Sequence, residues 1–99
     1  MRVLTAAAII AAVAASAAPA LAADRLSDAD FVRAARCQGL APESAGEAIG
    51  KLVRSQKRGR SDHVLERAAN ARYEGERLAR VDADAAQAAF AADCAGLGG

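Results

Sequence analysis

Few residues in this 99-residue chain could do chemistry: two cysteines, a single histidine, some closely spaced aspartates and one run of cations. The cysteines stand in near-repeats, Ala35-Arg36-Cys37-Gln38-Gly39-Leu40 and Ala92-Asp93-Cys94-Ala95-Gly96-Leu97, both Ala-x-Cys-x-Gly-Leu. A dithiol redox centre would want Cys-x-x-Cys, and covalent haem would want Cys-x-x-Cys-His. A structural zinc site would want four ligands. None of these patterns is present, so no metal or cofactor is expected. In an oxidising compartment the two cysteines read as a disulfide, Cys37–Cys94. Bridging positions 57 apart removes chain entropy worth about 4 kcal/mol.

His63 could serve as a general base, but no nucleophile motif accompanies it: there is no Gly-x-Ser-x-Gly, P-loop or His-Glu-x-x-His. It reads as a solvated residue in a first helical turn. Asp28/Asp30 and Asp82/Asp84 resemble paired carboxylates, yet side chains two apart on a helix diverge. They suit the positive end of a helix dipole instead. The expectation is a protein that is not an enzyme.

The remaining site-like feature is Lys51-Leu52-Val53-Arg54-Ser55-Gln56-Lys57-Arg58-Gly59-Arg60, with five positive charges and no acid. Lys51, Arg54, Lys57, Arg58 and Arg60 are candidate anion-binding residues. The competing reading is a solvated helix end whose cations suit the dipole and pair with Glu66 or Glu74. There are no interleaved aromatics for base stacking. Without Arg2 the 13 basic side chains become 12, matching the 12 acidic ones, so a nucleic-acid partner is not expected.

The start of the chain sets the compartment. Met1-Arg2, an apolar run over 3–15 broken by Thr5, then Ser16, Pro19 and Ala20-Leu21-Ala22, form the layout of a secretory signal peptide. Residues 1–22 are the expected leader, with cleavage after Ala22 or, second, Ala23. The apolar core is short and alanine-rich for a membrane anchor, so no anchor is expected once it is removed. Eleven Arg against two Lys in an alanine-rich chain fit a GC-rich bacterial genome. The expected location is the periplasm, with the cell exterior second.

Residues 23–99 then form one small helical domain that needs a staple. Ser27 caps a first helix over 28–38, with Asp30 in a capping-box position and Leu26/Phe31 as a hydrophobic staple. Gly39 is expected as its left-handed stop, and Pro42 prevents continuation. A second helix over 43–58 carries one apolar stripe, Ala45, Ala48, Ile49, Leu52, Val53 and Gln56. A third over 62–80 starts at Ser61-Asp62, and Gly75 in its inner stripe implies a close helix crossing. A fourth over 83–95 is capped by Asp82 and stopped by Gly96. The pattern leaves open whether the chain breaks or kinks at Asp82.

The fold class is therefore all-α, a bundle of three to four helices with a disulfide joining the ends of the first and last. A plain up-down-up-down bundle would place those C-terminal ends at opposite poles, too far apart for a disulfide. A bent or crossing last helix is expected, with a bridge between two molecules as the alternative. The leading functional expectation is a non-catalytic protein that interacts with another envelope protein. The alternatives are a module binding anionic envelope lipids or polymers through the basic helix end, and a periplasmic stress chaperone, by analogy of size and staple.

Overall fold

The computed structural model describes residues 25–97, so the expected leader, residues 1–22, lies outside the described residues. Those residues form four helices: α1 Asp28–Leu40, α2 Glu43–Ser55, α3 Asp62–Val81 and α4 Ala83–Asp93. None is long and apolar enough to cross a membrane. Three of the starts follow from caps. Ser27 Oγ accepts from the Asp30 amide at 3.0 Å, Ser61 Oγ from Val64 at 3.2 Å, and Asp82 Oδ1 from Ala85 at 3.1 Å. Each satisfies an amide that the first helical turn leaves without a carbonyl.

The chain breaks fully at Asp82, whose backbone leaves the helical region at φ −154° and ψ 83°. Its amide closes α3 on the Leu78 carbonyl at 2.8 Å, while its carboxylate opens α4. One residue thus ends one helix and starts the next.

Gly39 departs from expectation. Glycines with positive φ are Gly59 and Gly96, at +83° and +88°, so Gly96 is the left-handed stop after α4. Gly39 is helical instead, and α1 runs two residues beyond the expected 38. The helix ends because Pro42 has no N–H and disfavours a helical residue before it, and Ala41 accordingly turns to ψ 149°. Gly39 is needed for space. A Cβ there would collide with the Arg72 carbonyl oxygen and stand 2.8 Å from the Glu76 nitrogen. A Cβ at Gly75 would stand 2.6 Å from the Arg36 carbonyl oxygen and 3.0 Å from the Leu40 nitrogen. The two glycines let α1 and α3 touch backbone to backbone, the close crossing that Gly75 implied. The two copies of Ala-x-Cys-x-Gly-Leu therefore use their glycines differently: one seats a neighbouring helix, the other ends its own.

α1 is the hub. It packs against all three other helices, whereas α2 makes no close backbone approach to α3 or α4. Near its start, Phe31 and Ala35 pack with Val64 and Ala68. Further on, Cys37 and Leu40 pack with Ile49, Ala86 and Cys94. Contacts between α1 and α3 advance in the same direction along both helices, so the two run parallel.

The Cys37–Cys94 bridge lies within one chain, with the Cα atoms 5.8 Å apart. Helix lengths solve the topological problem. After the crossing at Gly75, α3 continues for six residues to Val81, about 9 Å at the helical rise. α4, of 11 residues, has only to return to the last turns of α1. It ends at Asp93 rather than 95, where Cys94 takes the C-cap position.

Candidate functional site

α2 ends at Ser55, three residues before the expected 58. Gln56 leaves the helix at φ −104° and ψ 5°, and its side-chain oxygen accepts from the Leu26 amide at 3.0 Å. Lys57 and Arg58 therefore stand in the turn before Gly59 rather than on a helix.

Arg60 is a correction to the anion-binding set. Its side chain is 3% exposed and fully engaged. Nε donates to the Gln56 carbonyl at 2.9 Å, Nη1 to Asp28 Oδ1 at 2.7 Å and Nη2 to the Leu26 carbonyl at 2.8 Å. The guanidinium lies 4.6 Å from the centroid of the Phe31 ring. Such a planar fork satisfies several acceptors at once, which an ammonium cannot. Arg60 therefore ties the entry to α1 to the α2–α3 turn. Arg60→Ala should cost about 2 kcal/mol in urea unfolding, since it strands the part-buried carbonyls of Leu26 and Gln56 and removes charge-assisted bonds. Arg60→Lys should recover less than half of that.

The other four cations behave differently. Lys51, Arg54, Lys57 and Arg58 are exposed, and none of them takes part in the four ion pairs among the described residues. The expected pairing with Glu66 or Glu74 is not formed. Between α2 and α3, whose backbones do not approach closely, a groove of about 390 Å³ opens over α1. Ala35 and Ala68, 2% and 5% exposed, form its floor, and Val53 and Leu65 its walls. Alanine on the floor leaves a hollow where leucine would fill it. Arg54 and Lys57 stand on the α2 side and Arg72 on the α3 side. Arg72 also meets Glu76 at 3.6 Å in an exposed pair, an interaction of small worth that another anion can displace.

Comparison with protein-family models, curated proteins and solved structures finds no match. The site must be read from its own chemistry.

The remaining candidates are placed apart. His63 is exposed in the first turn of α3, Asp28 is held by Arg60, and Asp82 is a cap. Among the described residues no group of three or more His, Cys, Asp or Glu could hold a metal ion. Sequence reading did not associate Arg72 and Leu65 with the basic run. A signal existed, because Leu65, Ala68, Ala69 and Arg72 fall at i, i+3, i+4 and i+7, one stripe of α3.

Proposed function

We propose that this chain is an exported, non-catalytic protein of the bacterial periplasm that binds an anionic component of the cell envelope. The binding surface is the second half of α2 and the turn that follows it, with Lys51, Arg54, Lys57 and Arg58. The observation that carries this reading is that these four exposed cations lack acidic partners among the described residues, and that two of them, Arg54 and Lys57, border an apolar groove. Cations left open in this way attract lipid phosphate or an acidic polymer, and salt weakens the attraction. The signal-peptide layout and the buried disulfide support the oxidising, extracytoplasmic location.

A protein partner draws less support. Among the described residues the exposed large apolar side chains are Tyr73 and Val81, eight positions apart, and scattered apolar residues are ordinary on a soluble surface.

Vesicle co-sedimentation tests the proposal. Phosphatidylglycerol vesicles should retain the oxidised protein at low salt and release it as salt rises, whereas phosphatidylcholine vesicles should not retain it. Replacing Lys51, Arg54, Lys57 and Arg58 together by Gln should weaken retention at least tenfold, since each cation near an anionic surface contributes about 1 kcal/mol. Retention that ignores both salt and the fourfold replacement overturns the reading.

A further inference from the structure

We propose that the groove between α2 and α3 holds the acyl chain of one single-chain anionic lipid, with the lipid head on Arg54, Lys57 and Arg72. This deepens the anionic-ligand reading and rests on it. The groove divides into two chemistries. Its interior is mostly hydrocarbon, from Ala35, Val53, Leu65 and Ala68 with Gln38 beside them, and its rim holds Arg54 of α2, Lys57 of the turn after it and Arg72 of α3. No acidic residue lines it. An anion without a tail would leave the interior to water, and a tail without an anion would leave the cations unused. A molecule with both fits both halves.

Size selects the class further. At about 390 Å³ and nine lining residues the groove lies at the small-ligand end of binding sites, which span about 300–1,000 Å³. A protein interface would engage about 20–30 residues a side. A second groove of about 260 Å³ lies beside Cys37, but there Asp93 already occupies the cations. The Asp93 carbonyl accepts from Arg33 at 2.6 Å, and its carboxylate faces Arg36 at 3.9 Å. In the α2–α3 groove only Arg72 has an internal partner, the exposed pair with Glu76 at 3.6 Å, and Arg54 and Lys57 have no acidic partner among the described residues.

The test uses the oxidised protein purified from cells, followed by calorimetry and backbone amide NMR. The probes are myristoyl lysophosphatidylglycerol, its zwitterionic phosphatidylcholine counterpart, glycerol phosphate alone, an acidic peptide with a free C-terminus, and phosphatidylglycerol vesicles. The anionic lysolipid should bind one to one and move the amides of Ala35, Leu65 and Ala68. Glycerol phosphate should bind at least a hundredfold more weakly, and the zwitterionic lipid at least tenfold more weakly. Ala69→Phe fills the groove from an exposed position and should abolish lysolipid uptake while leaving the melting temperature and vesicle retention intact. Arg72→Gln should weaken lysolipid binding severalfold. Equal affinity for lysolipid and head group, or an Ala69→Phe variant that binds as before, overturns the groove assignment. So does uptake of the acidic peptide in place of lipid, or a dimer that closes the groove. Vesicle retention without lysolipid uptake removes this inference and leaves the surface reading standing. Loss of both removes both.

Discussion

Replacing Cys37 and Cys94 together by Ala should lower the unfolding free energy by about 4 kcal/mol and leave a domain near the edge of folding. The loop that the bridge closes is long, with 57 positions between its ends, so the crosslink removes much of the freedom of the unfolded chain. The folded side has little in reserve. Its buried large side chains are few, with Phe31, Leu40, Ile49 and Val64 at their centre, and a core this thin supplies only a few kcal/mol net. Both sulfurs sit in the core cluster with Ile49 and Ala86, so alanine keeps the site apolar where serine would bury a hydroxyl. Urea titration with and without reductant is the measurement. The midpoint should fall sharply, and the dependence on urea should steepen, because the uncrosslinked unfolded chain exposes more surface. Amides of α4 should lose protection first, since that helix meets the rest through the bridge and a short apolar face. A midpoint shift equivalent to less than about 1 kcal/mol against a model value of about 4 would mean that α4 holds itself in place by packing.

The second large effect comes from three glycines with opposite expected signs. A glycine inside a helix ordinarily costs about 0.5–1 kcal/mol relative to alanine. At Gly46 in α2 an added Cβ would meet the Gln38 carbonyl oxygen at 3.5 Å and the Ala41 Cβ at 3.7 Å, ordinary contacts. Gly46→Ala should therefore stabilise by about 0.5 kcal/mol. At Gly39 and Gly75 the obstacles are backbone atoms of the facing helix, which cannot rotate away as a side chain would. Gly39→Ala or Gly75→Ala must push α1 and α3 apart, loosening both core clusters along α1. Each should cost about 3 kcal/mol, at the upper end of overpacking. The double variant should cost clearly less than twice that, because one separation relieves both collisions. Three urea curves and the double variant decide the matter. Stabilisation by Gly39→Ala would mean that the crossing is looser than described.

These cases show where sequence carries structure and where it does not. Ser27, Ser61 and Asp82 act within three residues of themselves, so their caps were legible from local chemistry. The pairing of Cys37 with Cys94 was legible from there being two cysteines and the layout expected of a leader ahead of them. Gly75 pointed to a close crossing because a glycine in an apolar stripe has little other use. Gly39 was not legible, since a glycine near a helix end fits a left-handed stop as well as a contact surface. What decides between them is α3, more than thirty residues away. Arg60 was hidden for the same reason: its acceptors belong to Leu26, Asp28 and Gln56, on both sides of a turn. For the candidate site, Arg54 and Lys57 could be picked from the charge run, whereas the groove beside them exists because α2 and α3 flank α1 with no close approach of their backbones.

The hub position of α1 also sets a timetable. A chain that emerges N-terminus first presents Phe31, Ala35, Cys37 and Leu40 long before Val64, Ala68 and Gly75 exist to cover them. The α1–α2 hairpin alone offers Ile49 and little else, so the deep contacts must wait for a loop closure spanning more than thirty residues, which is slow relative to local helix formation. Cys94 comes later still. Assembly is thus postponed until nearly all described residues are available and then completes as one event. On the proposed export route, such a polypeptide would stay an unfolded thread through most of its passage across a narrow pore and become a compact body only on the far side.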